Sequence, residues 1–243
     1  MVQDLLAKYG RLVPLRADEE ATIRNLATAK RTYASGREVI TGELDEPDQL
    51  FIVASGRLFA SVELPSGARA LTRLYFPGDI IGTANMPFER ATHSVTTSSD
   101  AELLHFPRTK LVDAFTTMPR IAAVFYTFAA LENAILNDRL VSIGRTKGVA
   151  RLAALILEIC ARQRLLHRPP DGVFHLGLTQ QQIGDAIGMT EVQVNRLMRE
   201  LTQGKLIVRH GRKIEVVDMP GLVELGQFTD RYEALDLDWF TED

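Results

Sequence analysis

Four side chains in the stretch LTQQQIGDAIGMTEVQVNRLMREL, residues 178–201, have the chemistry to read the edge of a base pair. Arg196 carries a planar fork of donors that matches the two acceptors of a guanine edge. Asn195 can pair with adenine or hold a phosphate, and Val192 can meet a thymine methyl group. Arg199 lies farther along the same face and suits a phosphate oxygen. A few residues on, Arg209, His210, Arg212 and Lys213 surround Gly211. A cluster of cations at such a tip can clamp a phosphate backbone. Between residues 191 and 213 there are six Lys/Arg against two acids, although the 243-residue chain has a formal net charge of −3. The basic character is therefore local, as a nucleic-acid surface requires.

The elements that must position these groups are legible around them. Thr179 is followed three residues later by Gln182, and Thr190 by Gln193. Each pair spells a capping box, in which the hydroxyl accepts from the third amide of the helix and the glutamine side chain returns to the cap amide. Gly188 falls between the two helices, where a tight turn calls for positive φ. Gly204 follows the second helix, where a terminating glycine belongs. Ile183 and Ile187 lie on one side of the first helix. Val194, Leu197, Met198 and Leu201 have the i, i+3, i+4, i+7 spacing of a buried face on the second. Gly184 is small enough to let the helices approach. The stretch reads as a helix-turn-helix. The polar residues at the two helix starts, Thr179, Gln180, Thr190, Glu191 and Gln193, belong to the same candidate surface. KLIVRHGRKIEVVD reads as strand, turn and strand, a wing beside the second helix.

Upstream, residues 4–30 have helical spacing, with Leu5, Leu6, Ile23, Leu26 and Ala27 as candidate core. From Tyr33 to Phe106 the character is strand and turn: glycines punctuate short apolar runs, and RLFASVEL, PSGA and RALTRLYF form a hairpin. Many short strands at regular spacing point to a barrel or roll. From Pro119 to Ser142 a long helix is expected. Its residues Ile121, Val124, Phe128, Leu131 and Ile135 alternate spacings of three and four, the seam of a coiled coil, and are the expected dimer interface. The spacing equally fits a helix buried on its own domain. IGRTKG, residues 143–148, reads as a hinge before another helix. The expected fold class is α+β, divided as a sensor domain at 1–118, a dimerisation helix and hinge at 119–146, a reading head at 147–222 and an acidic tail at 223–243, for whose last residues a solvated segment and a partly docked helix both stay open.

The totals exclude several classes. A hydrophobic share of 46% and a charged share of 24% are those of an ordinary globular protein. The one cysteine, Cys160, rules out an intrachain disulfide and a cysteine-ligated iron–sulfur cluster. It falls on the apolar side of a helix, where a buried structural thiol is the default; a redox switch needs an exposed thiol of low pKa. No apolar run reaches the roughly 18 residues that span a bilayer. No signal-peptide pattern opens the chain, so a cytoplasmic protein without membrane contact is expected. Paired carboxylates, clustered metal ligands and nucleophile–base arrangements are absent from the sequence. No enzyme is expected and no metal site is assigned.

These residues, in this order, resemble the CRP/FNR superfamily of bacterial transcription regulators. The likeness covers roughly residues 10–220. Its strongest pieces are the helix-turn-helix with its wing and FPGDIIG in the roll; SIGRTKGVARLAALILEI and GREVITGELDEPDQLFIVASGRL add to it. The resemblance implies an N-terminal β-roll, a long dimerisation helix and a C-terminal winged helix-turn-helix. It also implies a homodimer on a palindromic duplex DNA operator, with RNA polymerase as a partner of an activator. Base reading falls by this likeness on Val192 and Arg196. Members with the best-studied operators have glutamate where this chain has Val192, so no operator carries over.

In nucleotide-binding members a glycine–glutamate pair holds the ribose and an arginine–hydroxyl pair holds the cyclic phosphate. Here Gly82 is followed by Thr83, and Ala91-Thr92 stand at the second pair with Arg90 one residue off. Gly82, Thr83, Arg90 and Thr92 mark the candidate effector pocket, and no cyclic nucleotide is expected in it. His93 and His105 are the roll residues able to ligate haem, but His93 reads as a loop residue and His105 as an exposed strand residue, so no haem is expected. Two other readings stay open: a ligand-binding barrel with a helical appendage, and a module whose wing binds a protein rather than DNA.

Overall fold

The computed structural model describes residues 2–26, 30–166, 173–211 and 213–237. Two helices open the chain, α1 (Val2–Leu12) and α2 (Ala17–Leu26). Pro14 lies in the short break between them, and Asp18, Glu19 and Glu20 place negative charge in the first turn of α2, where the helix dipole favours it. Eight strands follow: β1 (Lys30–Ala34), β2 (Val39–Thr41), β3 (Gln49–Ser55), β4 (Leu58–Glu63), β5 (Arg69–Tyr75), β6 (Ile80–Ile81), β7 (Ser94–Thr97) and β8 (Ala101–Pro107). They form two four-stranded sheets, ordered β1-β8-β3-β6 and β2-β7-β4-β5. The predicted hairpin is β4–β5, closed by Leu64 N–H donating to the Ala68 carbonyl at 2.8 Å. Val53, Leu58, Ala60, Tyr75, Ile81, Val95, Ala101 and Leu103 fill the roll between the sheets. Buried Asp79 in FPGDIIG accepts from Lys8 of α1 and from the Phe76 amide, which fixes the turn before β6.

The remaining elements are α3 (Arg108–Thr117), α4 (Pro119–Arg145), α5 (Gly148–Leu166), β9 (Val173–His175), α6 (Gln180–Ile187), α7 (Glu191–Gln203), β10 (Ile207–His210), β11 (Lys213–Val216) and α8 (Met219–Gly226). The sequence reading did not anticipate α3, β9 or α8. The expected hinge reduces to Thr146 and Lys147, since α4 runs to Arg145 and α5 starts at Gly148. β9, β11 and β10 make a small antiparallel sheet, with Arg209 opposite Ile214 and His210 opposite Lys213. The chain divides into two compact units. One holds residues up to 62, 73–133 and those from 234 on; the other holds 63–72 and 134–233.

The stripe expected to be the dimer seam is used inside the chain. Ile121, Val124, Leu131 and Ile135 are buried in the single protomer, and the Phe128 ring lies 4.2 Å from that of Tyr9 on α1. The alternating spacing is real, but its partner is the chain's own core. A different stripe of α4 is exposed. Tyr126 is 66% exposed, Leu136 48% and Leu140 69%. With Ala129, Asn133 and Ile143, also exposed, they again step by three and four.

Of the two forms open to the tail, its first part takes the docked one, beyond a further helix. α8 runs through residue 223, capped by the Asp218 side chain, which accepts from the Gly221 amide at 3.0 Å. Beyond it, Arg231 forks onto Asp138 at 2.7 Å on both nitrogens and Asp230 accepts from Arg164 at 2.9 Å. This part of the tail is docked rather than solvated.

The helix-turn-helix packs as its faces predict: Ile183, Ile187, Val194, Leu197, Met198 and Leu201 are all buried. A Cβ on Gly184 would sit inside van der Waals contact of the Met189 carbonyl oxygen, in the turn that joins the helices. Gly184→Val should therefore push the two helices apart and destabilise the second unit by about 2 kcal/mol or more. Thermal unfolding followed by circular dichroism checks this; an unchanged midpoint would refute the close approach.

Candidate nucleic-acid interface

Both capping boxes form. Thr179 Oγ1 accepts from the Gln182 amide at 3.2 Å while Gln182 Oε1 accepts from the Thr179 amide at 2.8 Å. Thr190 and Gln193 repeat the exchange at 3.3 and 2.9 Å. The boxes satisfy donors that the first turn of each helix would otherwise leave unpaired. Gly188 takes φ 69°, the left-handed turn expected of it. At the end of α7 the left-handed residue is Lys205, φ 57°, and Gly204 stays right-handed; the reversal comes one residue later than the glycine suggested.

These caps aim α7 so that one face is fully covered and the other is open. Val192 is 79% exposed. Arg196 and Arg199 are exposed on the same face, and neither guanidinium has a hydrogen-bond or ion-pair partner among the described residues. Two long cations held on a rigid helix without carboxylates are available donors for an anionic partner. Asn195 is less available than expected. Its side-chain amide donates one of its two hydrogens to the Glu191 carbonyl at 3.2 Å, one turn back. Thr190 and Gln193 are likewise engaged in the cap, so their part is to hold the helix end. Gln180 opens α6 with a buried, unpartnered Oε1. Thr179 and Glu191 are exposed at the two helix starts.

In the wing, Arg209 and Lys213 are exposed and also without partners among the described residues. His210 differs. Its Nε2 lies 2.9 Å from Glu215 Oε2 across the hairpin, so a carboxylate already occupies it. Gly211 makes the tip with φ 63°. Arg212 lies outside the described residues.

The predicted effector residues do not converge on an anion site. Arg90 is turned to the surface, 3.3 Å from Glu46. Gly82, φ 99°, caps a single 3-10 turn over Thr83–Asn85. Thr92 is exposed, and its hydroxyl and amide reach the buried Asn85 Oδ1 at 3.0 and 3.2 Å. The Arg90 guanidinium is thus engaged by a surface carboxylate, and Thr83 stands where the resemblance puts the ribose-binding glutamate. Sequence reasoning passed over Asn85, whose amide oxygen ties the two ends of this segment; its burial has no sequence signal. His93 is half-buried, its Nε2 has no hydrogen-bond partner among the described residues, and burial, reinforced by Arg73, holds its pKa below the usual imidazole value. His105 is not the exposed residue expected. On β8 it shares a face with Leu103 of the roll core, and its ring stacks on Phe51 at 5.8 Å. Cys160 is fully buried, and that burial pushes its thiol up to about 12, the opposite of a reactive thiolate. No group of three or more His, Cys, Asp or Glu among the described residues is placed to hold a metal ion. No single helix there is long and apolar enough to cross a membrane.

Comparison with known proteins agrees with this layout. Residues 30–117 match the cyclic nucleotide-binding domain, and residues 150–225 match the Crp-like helix-turn-helix domain. The chain is 27% identical over 184 residues to the transcriptional regulatory protein Btr of Bordetella pertussis, covering 75% of this chain and 76% of that protein. It is 27% identical over 200 residues to the nitrogen fixation regulation protein FixK of Rhizobium meliloti, covering 80% and 85%. Among solved structures, FixK2 from Bradyrhizobium japonicum superposes with a TM-score of 0.74 at 23% identity, covering 82% of this chain and 97% of that one. Both relatives are named as regulatory proteins, Btr of transcription and FixK of nitrogen fixation. A cyclic nucleotide-binding domain, a long helix and a Crp-like helix-turn-helix domain thus follow one another along the chain, the arrangement that its resemblance to the CRP/FNR superfamily of bacterial transcription regulators implies.

Proposed function

We propose that this regulator is a cytoplasmic homodimer that binds a palindromic duplex DNA operator, with Arg196 as its principal base reader. The observation that carries the reading is the open face of α7, where Arg196 and Arg199 stand exposed and unpartnered while the opposite face is wholly buried. Arg196 is one helical turn from Val192, so the two reach neighbouring bases in the major groove. Arg199, Arg209 and Lys213 take phosphates and set the register. Asn195, with one amide hydrogen bonded back to the helix, keeps its second N–H and its oxygen for the duplex. If the protein activates transcription, RNA polymerase is its further partner.

For the dimer, the exposed stripe Tyr126, Ala129, Asn133, Leu136, Leu140 and Ile143 on α4 is the proposed seam, in place of the buried one. Apolar residues this exposed at coiled-coil spacing are covered by a second helix of the same kind. The roll takes neither a cyclic nucleotide nor haem in this reading: Arg90 is paired outward, Thr83 lacks a carboxylate, and the ring of His105 lies flat on Phe51. The buried thiol of Cys160 takes no part in sensing.

Selection from a random duplex library at moderate salt, followed by sequencing, should enrich a palindrome with half-sites about one helical turn apart. Arg196→Ala should lose about 1–3 kcal/mol of discrimination at one position of each half-site. Arg209→Ala should weaken every sequence alike and lower the salt slope by about one. An unchanged sequence preference in the Arg196 variant would sink its assignment as base reader.

Leu136→Glu and Leu140→Glu should each give monomers in light scattering while leaving the fold intact. Phe128→Glu, by contrast, should lower the unfolding midpoint, because that ring is seated on Tyr9. Dimers that persist in both leucine variants would show that the seam is elsewhere.

A further inference from the structure

The second unit contains a cavity of about 150 Å³ between the last turns of α4, the body of α5, the end of α6 and the segment after α8. Its wall is mainly apolar, from Ile135, Val141, Leu155, Ile187 and Phe228. Three arginines reach it, and they are not equivalent. Arg139 forks onto Glu158 at 2.7 and 2.9 Å, and Arg231 onto Asp138 at 2.7 Å. Both are neutralised by bidentate carboxylates. Arg151 has no carboxylate among the described residues. Its guanidinium donates only to backbone carbonyls: Thr146 at 3.1 and 3.0 Å and, at a long 3.4 Å, Ile187. Those carbonyls lie at the C-terminal ends of α4 and α6, whose dipoles hold a cation there at partial charge only.

We propose that this cavity is a binding site for a small organic carboxylate whose apolar body is about the size of one aromatic ring or a short branched chain. Arg151 holds the carboxylate and the apolar wall covers the rest. The chemistry is that of a mostly apolar pocket with one convergent charged group that sets orientation. The volume suits a ring-sized body, and a charge-assisted fork from an arginine without a competing acid supplies the anchor. The site is separate from the roll. Its occupation bears on the reading head because Arg151 joins Thr146, in the break between α4 and α5, to Ile187, the residue before the Gly188 turn into α7. A carboxylate that draws the guanidinium away loosens that tie.

The binding does not rest on the DNA-binding reading and is measured without DNA. Isothermal titration of the full chain with benzoate, 3-methylbutanoate and neutral benzamide is the test. At least one carboxylate should bind in the millimolar range or tighter, and benzamide should bind roughly tenfold or more weakly than benzoate. Arg151→Gln should abolish carboxylate binding. Ala154→Met, which fills the cavity from α5 and keeps the arginine, should do the same with circular dichroism unchanged, and it decides the matter should Arg151→Gln fail to fold. No binding by either carboxylate up to about 10 mM, equal binding of benzamide, or binding that survives Ala154→Met would each overturn the proposal.

Discussion

The second unit is organised around one buried carboxylate. Glu158 of α5 accepts from Arg139 Nε at 2.7 Å and Nη2 at 2.9 Å, and from Arg162 Nε at 3.3 Å. Arg139 in turn donates Nη1 to the Thr72 carbonyl at 3.0 Å. Through this one acid, α5 is tied to the last turns of α4 and to the β4–β5 hairpin. A buried carboxylate is tolerated because its charge is paired and its oxygens are hydrogen-bonded; removing a single partner from such a group costs about 3–5 kcal/mol. The directional fork gives this region a defined arrangement where apolar packing alone would permit several. The reading head then builds outward from α5: α8 lies so close that a Cβ on Gly226 would meet the Ala154 amide nitrogen at 3.0 Å. Arg164 and Asp138 hold the segment that follows α8.

The long helix shows how one sequence feature can have two meanings. α4 carries two apolar stripes, both stepping by three and four. One is spent in the chain's own core, beside Tyr9; the other is exposed through Tyr126, Leu136 and Leu140. Periodicity fixes which residues share a face but not what that face meets. The decision belongs to α1, whose Tyr9 and Lys8 sit far from α4 in the chain. Tyr9 is buried, and that burial, with Asp79 nearby, drives its phenol pKa far above the ordinary range, so it stays neutral in the interior.

The interface shows the reverse balance. Local chemistry nearly suffices there, because capping boxes and a glycine turn are short-range devices whose partners lie within four residues. They form as written, and the arginines of α7 make no ion pair among the described residues. What local chemistry could not supply was the state of each polar group. Asn195 bonds back to its own helix and His210 is taken by Glu215. Arg90 turns away from the roll to Glu46, and Asn85 closes beneath Thr92. Each of these pairings spans a turn or a hairpin whose geometry had first to exist.

By itself the sequence determined the α+β order of elements, the β4–β5 hairpin, the helix-turn-helix with both caps, its buried face and its basic exposed face. All of these follow from interactions between near neighbours or from the period of burial. The tertiary structure alone decided which stripe of α4 is core, that His105 points into the roll, that the segment beyond α8 is docked, and that Arg151 lines a cavity with no ion-pair partner among the described residues. Those outcomes rest on side chains brought together from distant parts of the chain, such as Arg231 with Asp138 and Arg139 with Thr72. Which distant groups meet is set by the packing of whole elements, and no local pattern encodes it.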